Sequence, residues 1–406
     1  MKYPISPDYL ANIPDKLAAI WQDLEDYIIV TICERLNASG LLNNTALELI
    51  RELQRRGLPL AEIEQRIKKT LKLSEVQLSE VFEDAIERNQ IYYSDLLTKA
   101  GLVEVVPQME ALQAEADAIA RQTAETFENL TQTLGFSLEP GSVAVTPIQQ
   151  SYEKALDDAA MRVLSGGTSY EEAIRESINR LTESGIQFVD YASGHRDRAD
   201  VAARRAVRTG VAQISSKYTD QAAEKLETQY FEVSAHAGAR DKGDGWQNHK
   251  DWQGKVYSMR AGDKYPSIYE VCGLGEVDGL EGANCRHRYF PFVDGVSERT
   301  YTDEELANID PEPFTYQGKE YSFYEATQRQ RQIERTLRAV KRRLLGEKAA
   351  GLEDAYKADA AYYVRLNDEY VAFSKAAGLR TQEERSFIQE FGPREAREAR
   401  KAAAAH

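Results

Sequence analysis

Most of the chain repeats apolar side chains at the three- and four-residue spacing of amphipathic helices. This spacing places the apolar groups on one face of a helix, and that face packs against another element. The pattern covers residues 13–36, 60–71, 148–165, 169–184, 196–228, 324–345 and 352–377. We therefore predict a fold that is mostly α-helical, including a helical N-terminal region.

Two polar signals divide the N-terminal helices. Thr45 is followed three residues later by Glu48, and Ser74 by Gln77. A hydroxyl residue followed by Glu or Gln at this spacing is typical of the first turn of a helix. We therefore predict that one helix begins after Thr45 and that another begins after Ser74, separate from the helix over 60–71.

The helical pattern is interrupted between residues 234 and 295, where glycine is dense. This stretch contains three of the five histidines, two of the three cysteines and two of the three tryptophans. Residues 229–234 and 255–258 alternate as strands do, and residues 314–322 predict a hairpin that turns at Gln317-Gly318. We therefore predict a small α+β module at the centre of the chain.

These patterns divide the chain into four ranges. Residues 1–140 form the helical N-terminal region, and residues 141–230 form a helical lead-in. The α+β module covers residues 231–325, and C-terminal helices with an Ala-rich tail cover residues 326–406. We expect the N-terminal range to supply an assembly surface, because it is larger than a small appendage requires.

Composition narrows the classes of protein. The formal net charge is −15, which makes binding of nucleic acid over the whole surface a poor expectation, although a local basic patch remains compatible with it. No run approaches the roughly 18 apolar residues of a membrane span, and the N-terminus lacks the apolar core of a signal peptide. Three cysteines do not make a disulfide framework, so we expect synthesis in a reducing cytoplasm.

Two helices are rich in arginine. In the helix over 324–345, an apolar stripe lies beside a basic row with the same spacing, and Glu334 is the only acid among these bases. The residues proposed for contact with DNA phosphates or an acidic protein are Arg331, Arg335, Arg338 and Arg342, together with Arg204 and Arg205 of an earlier helix. We expect the row of four to face outward. The alternative is a solvated face with ion pairs.

The central module also contains candidate metal ligands. His249, Cys272, Cys285 and His287 have the donor types of a tetrahedral zinc site, with His236 as a substitute. The usual CxxC and HxxxH spacings are absent. We therefore prefer a structural interpretation without metal or cofactor, in which the histidines hydrogen-bond in turns and Cys285 is buried.

Catalysis by Cys285 is a further alternative. His249 or His236 could act as its base, with Asp251 orienting the imidazole. The local sequence has neither an oxyanion hole nor a nucleophile elbow, so we expect no catalytic residue. Ser234, His236 and Arg240 could bind an anion, although a hydrogen-bonded turn explains them equally well.

Several separated motifs occur in the order found in one family. SAHAGARDKGDGWQNHKDWQGKVYS at 234–258 and GLEGANCRHRYFPFVDG at 279–295 resemble the signature of the phage minor capsid protein 2 family, which is related to Mu F-like head morphogenesis proteins. The resemblance extends over residues 150–390, through SGGTSYEEAI, SGIQFVDYASGHRDRADVAARRAVRTG, FTYQGKEYSFYEATQRQRQIERTLRAVKRR and GLRTQEER. Within the module the matching residues are Ser234, His236, Arg240, His249, Gly254, Asn284, Cys285 and His287.

The resemblance implies a virion component, made in the cytoplasm of a bacterial host and placed inside the phage head. It implies the portal protein as a partner, with the major capsid or scaffolding protein and packaged DNA as further candidates. A role in head assembly or in genome packaging and ejection follows. The alternative function is a metal-dependent hydrolase or nuclease delivered with the genome.

Overall fold

A computed structural model describes residues 3–37, 45–105, 112–136, 145–165, 168–189, 196–282 and 285–405. The structure is 66% helical, with a few short strands in small sheets. This confirms the predicted fold class, which is mostly α with a small module that contains strands.

The helices and strands are numbered in chain order. The α-helices are α1 (Pro7–Asn12), α2 (Asp15–Arg35), α3 (Ala46–Arg56), α4 (Leu60–Lys99), α5 (Gln113–Gln132), α6 (Ile148–Leu164), α7 (Tyr170–Ser184), α8 (Ala199–Lys225), α9 (His249–Trp252), α10 (Ile268–Cys272), α11 (Asp303–Ala307), α12 (Phe323–Ala350), α13 (Glu353–Ala376), α14 (Glu383–Ser386) and α15 (Pro393–Ala404). The strands are β1 (Gly135–Phe136), β2 (Thr146–Pro147), β3 (Gln187–Val189), β4 (Arg196–Arg198), β5 (Tyr230–Val233), β6 (Val256–Ser258), β7 (Tyr289–Phe292), β8 (Phe314–Tyr316) and β9 (Lys319–Tyr321). Short 3-10 turns lie at Val103–Val105 and Gly245–Gln247.

The chain divides into two compact units, each assembled from three separate stretches. Unit 1 contains Met1–Pro14, Glu75–Glu125 and Arg205–Gln328. Unit 2 contains Asp15–Ser74, Thr126–Arg204 and Arg329–His406. The four functional ranges expected from the sequence stay a prediction.

Unit 1 contains the predicted central module. Its antiparallel sheet has the order β6-β5-β7, and Phe231 of β5 lies opposite Tyr257 and Pro291. Strand β7, whose sequence YFPF contains a proline, was not predicted. Proline cannot donate a ladder hydrogen bond, so its position on an edge strand is compatible with the sheet.

The hairpin of unit 1 confirms the predicted turn. Strands β8 and β9 pair antiparallel, with Tyr316 opposite Lys319. Gln317 and Gly318 have φ angles of 50° and 80°. Positive φ at both central residues is the conformation that a tight two-residue hairpin requires.

Unit 2 buries the apolar stripe of α12. Ile333, Leu337, Val340 and Leu344 are all at most 1% exposed. Each such side chain contributes roughly 1.5–3 kcal/mol when it is removed from water. Gly346 continues this buried face, because a Cβ atom there would lie 2.9 Å from Sγ of the buried Cys33.

The two predicted helix starts have different outcomes. Thr45 and Glu48 form the reciprocal capping box before α3, as predicted. Ser74, in contrast, lies inside the continuous helix α4, so the predicted break is wrong. Its hydroxyl donates to the carbonyl oxygen of Thr70, four residues earlier, at 2.8 Å. A serine can satisfy its hydroxyl in this way within a helix, and so its presence does not prove a helix start.

Candidate functional site

The central module is held together where strands β5 and β7 end. The Ser234 backbone N–H donates to the Arg288 carbonyl at 2.8 Å, and the Arg288 N–H donates to the Ser234 hydroxyl at 2.9 Å. The side chain of Ser234 therefore continues the strand pairing. This contact places His236 and His287, which lie two residues after Ser234 and one residue before Arg288, in the same layer.

Gln253 links these two histidines. Its Oε1 accepts from the His236 backbone N–H at 3.0 Å and lies 3.1 Å from Nε2 of His287. Because Oε1 only accepts, His287 donates from Nε2 and keeps the lone pair of Nδ1. Gln253 is 2% exposed, and nothing in the sequence pattern singles it out.

His249 is fixed by the loop that follows α10. Its Nε2 lies 2.9 Å from the carbonyl oxygen of Asp278, which also accepts from Nη1 of Arg240 at 3.1 Å. A carbonyl only accepts, so His249 donates from Nε2. This nitrogen is therefore not oriented by Asp251, the residue proposed for that role in a triad.

The histidine rings pack on one another and on a tryptophan. His236 and His287 are stacked with centroids 4.5 Å apart, and His249 lies 5.4 Å from His287. The ring centroid of Trp252 lies 4.6 Å from that of His249 and 4.9 Å from that of His287. We call His236, His249, His287 and Cys285 the imidazole–thiol cluster.

The outer edge of the cluster is formed by Arg286. Nδ1 of His236 lies 2.9 Å from the Ala237 carbonyl oxygen and 3.0 Å from Nη2 of Arg286. A neutral imidazole can donate to the first or accept from the second, but not both at one nitrogen. Arg286 therefore places a positive charge beside the ring of His236.

Cys285 faces one histidine closely. Its Sγ lies 3.5 Å from Nδ1 of His287 and accepts from the His287 backbone N–H at 3.4 Å. Burial raises the pKa of the Cys285 thiol to about 11. Burial also lowers the pKa of His287 well below its ordinary value, and lowers that of His249. At neutral pH Cys285 is therefore a neutral thiol beside the neutral imidazoles of His249 and His287, which is unlike an activated nucleophile.

Three of the four predicted metal ligands come together. One donor atom each from His249, Cys285 and His287 lies within 4.8 Å of the other two. Cys272, the fourth, belongs to the apolar core that also contains Trp252 and Tyr257. Within the described residues, the group of donors that could hold a metal ion is therefore this triplet, without Cys272.

The other matching residues support the loops. Gly254 has a φ angle of 69°, and a Cβ atom there would lie 2.4 Å from Cδ2 of Leu306. Arg288, which the sequence pattern did not reveal, is 2% exposed and pairs with Glu281 at 2.7 Å. Asn284 lies outside the described residues.

The basic row of α12 does not face outward as expected. Arg342 is 1% exposed and contacts Glu25 at 2.9 Å and Asp26 at 2.6 Å. Arg338 contacts Asp200 at 3.1 Å. The outward orientation is therefore wrong for Arg342 and Arg338. Their acids come from α2 and α8, which explains why counting acids along α12 alone was misleading.

These five residues form a buried ion network, whose acids titrate differently. Burial raises the pKa of Asp26 to about 6, against the opposing charge of Arg342. Burial also acts to raise the pKa of Asp200, but the charges of Arg338 and Arg198 outweigh it and hold that pKa well below its ordinary value. Arg342 contacts both Glu25 and Asp26, and the negative charge of Glu25 opposes ionisation of Asp26.

The remaining arginines of the proposed binding set lie nearer the surface. Arg335 is exposed and Arg331 is partly buried. Arg205 is exposed, whereas Arg204 forms an ion pair with Asp15. A role of these residues in binding DNA or protein stays a prediction.

Comparison with known proteins identifies the family to which the chain belongs. The family model described as Phage minor capsid protein 2 matches residues 5–373, and the chain therefore belongs to that family of phage structural proteins. The relation to Mu F-like proteins stays a prediction.

A curated relative agrees with the class. The chain is 24% identical over 193 residues to a protein called "Structural protein" from Lactococcus phage LL-H, covering 45% of this chain and 50% of the relative. The chain thus spans about half the length of that relative. No solved structure matches. Among the described helices, none is long and apolar enough to cross a membrane.

Proposed function

We propose that this protein is a minor structural component inside the phage head, held at the portal, which acts in head assembly or in genome packaging and ejection. The class is that of its family, whose model covers nearly the whole chain. The portal protein is the proposed main partner, with the major capsid or scaffolding protein as a second contact. The N-terminal range 1–140 is the proposed assembly surface.

One structural observation supports the structural role over a catalytic one. The two histidines that were candidates for catalysis form hydrogen bonds that join segments of the module. His287 and His249 are 1% and 3% exposed. His287 donates to the side-chain oxygen of Gln253, and His249 donates to the backbone carbonyl of Asp278. Buried polar groups that are satisfied in this way hold loops in one arrangement.

Protease protection of purified particles tests the location. Particles are treated with protease before and after the heads are opened by osmotic shock, and the chain is quantified by mass spectrometry. The proposal expects protection in intact particles, digestion after opening, and co-purification with the portal from disrupted heads. Digestion in intact particles, or absence of the chain from them, would contradict it. A surface-exposed virion protein serves as the control for protease activity.

The hydrolase or nuclease alternative has its own readout. The purified full chain is incubated with duplex DNA in the presence of Mg²⁺ or Zn²⁺. The structural proposal expects no cleavage beyond that of a heat-denatured sample. Cleavage that disappears in His249→Ala and His287→Ala would favour the enzyme.

A further inference from the structure

We infer that His249, Cys285 and His287 form a binding site for a soft divalent metal ion of the zinc class. The inference does not depend on the portal location proposed above. It rests on the geometry of three side chains of unit 1, one from the start of helix α9 and two from the segment before strand β7.

The spacing of the donor atoms is the first argument. A tetrahedral zinc ion has Zn–S and Zn–N bonds of about 2.3 and 2.0–2.1 Å, which place neighbouring sulfur and nitrogen ligands about 3.6 Å apart. Sγ of Cys285 and Nδ1 of His287 are separated by 3.5 Å. The donor atoms of all three residues lie within 4.8 Å of one another, so that small side-chain adjustments bring them onto one ion.

The hydrogen bonds behind the ligands are the second argument. Histidines that bind metal usually donate their other ring N–H to a carbonyl or carboxylate oxygen, which fixes the tautomer. His287 donates from Nε2 to Gln253, and His249 donates from Nε2 to the Asp278 carbonyl. Both imidazoles therefore carry the lone pair on Nδ1. Two independent partners thus prepare the same tautomer.

Metal binding would exchange the proton of the Cys285 thiol for the metal ion. Without metal, the Cys285 thiol can donate its proton to Nδ1 of His287 in a weak hydrogen bond. When the metal binds, the thiol releases that proton to solvent, and the thiolate and two neutral imidazoles become ligands. A thiolate with two imidazoles selects Zn²⁺ or Co²⁺ over Mg²⁺ or Ca²⁺, which prefer oxygen.

The set has three protein ligands, whereas structural zinc sites usually have four. Within the described residues, no further histidine, cysteine or acid joins this triplet. We therefore assign the fourth position to water or a small anion. Cys285 is the only partly exposed member, while the two histidines are buried.

Metal content of the full chain is the first test. The protein is produced with added Zn²⁺, passed through gel filtration and analysed for metal. One zinc per chain is expected for the wild type, and loss of this zinc for Cys285→Ala and His287→Ala. Cys33→Ala is the control, since Cys33 is a free cysteine outside the triplet. A folded wild type that holds no zinc would overturn the inference, as would zinc retained in Cys285→Ala.

Cobalt spectroscopy decides the case in which the variants fail to fold. Co²⁺ added to the metal-free wild type should give a thiolate-to-cobalt charge-transfer absorption and the visible bands of a tetrahedral site. The Cys272→Ala variant should give the same spectrum. Absence of the charge-transfer band in the wild type would overturn the site, and its loss in Cys272→Ala would overturn the three-ligand assignment.

Discussion

The imidazole–thiol cluster of unit 1 and the buried ion network of unit 2 differ in how their members are distributed along the chain. The cluster joins His249 to His287, which are 38 positions apart in one glycine-rich stretch. The ion network joins Arg342 to Asp26, which are 316 positions apart. A cluster of uncommon side chains in one stretch can be recognised in the sequence. Ion pairs between residues that are far apart in the chain cannot be recognised in this way.

The two regions also differ in charge. Cys285, His249 and His287 of the imidazole–thiol cluster stay neutral, since burial raises the pKa of the thiol and lowers those of the two imidazoles. The ion network contains arginines that stay charged, and these must be balanced by acids. Removing one partner of a buried ion pair leaves an uncompensated charge, whereas truncating a neutral aromatic leaves a cavity. Mutations in the two regions should therefore destabilise the protein for different reasons.

Arg342→Met should have the largest effect. Glu25 and Asp26 would keep their burial but would no longer have the guanidinium that contacts both. We expect a loss of about 4–5 kcal/mol in the free energy of unfolding at pH 8, at the upper end for a broken buried pair. Urea unfolding followed by circular dichroism measures this loss.

Arg335→Met is the matched control for that variant. Arg335 lies on the same helix but is exposed. Its replacement should change the free energy of unfolding by no more than about 0.5 kcal/mol. Equal effects of the two substitutions would show that the ion network does not stabilise unit 2.

Trp252→Ala should come next in size. Trp252 is 1% exposed and packs on His249 and His287. We expect a loss of about 3–4 kcal/mol, because deletion of a buried aromatic leaves a cavity. Trp246→Ala is the control, since Trp246 is 38% exposed, and it should cost clearly less. A reversed order in thermal unfolding would contradict this description of the module.

A third effect, which grows with pH, concerns another buried acid of unit 2. Burial, followed by the charge of Asp359, raises the pKa of Glu347 from 4.5 to about 9. Between these values the folded chain holds a proton that the unfolded chain has released, so this group makes stability fall as pH rises. The slope is at most about 1.4 kcal/mol per pH unit.

Glu347→Gln should remove that dependence. Relative to the wild type, the variant should become progressively more stable between pH 5 and pH 8. Taking this difference cancels the contributions of the other titrating groups. A difference that is constant across this range, measured by urea unfolding, would exclude a protonated Glu347.

The smallest effect is expected from the two arginines of the row that lie nearer the surface, Arg331 and Arg335. If unit 2 contacts packaged DNA, Arg331 and Arg335 are the residues of α12 that remain for it. Replacing both by Gln should leave stability unchanged and should reduce the slope of log affinity against log salt by about 0.9 for each phosphate that is no longer neutralised. Arg394→Gln is the control, because Arg394 is exposed on another helix. Random duplex DNA and a salt series provide the measurement, and an unchanged slope would favour a protein partner for this row.

The sequence was informative where local rules decide structure. It predicted the capping box at Thr45 and the hairpin turn at Gln317-Gly318. It also grouped His249, Cys272, Cys285 and His287 as candidate ligands, of which all but Cys272 come together. It could not predict the role of Gln253, because the contacts of this side chain with His236 and His287 form only when distant parts of the module fold together. It also misplaced the buried arginines of α12, because their acids lie on other helices.

We propose above that this chain is a structural component held at the portal inside the head. Electron cryo-microscopy of intact particles, with reconstruction focused on the portal vertex, tests it most directly. We expect density on the inner side of the portal into which the two compact units fit. Density for this chain on the outer surface, or an inner portal face without it in particles that contain the protein, would contradict the portal location.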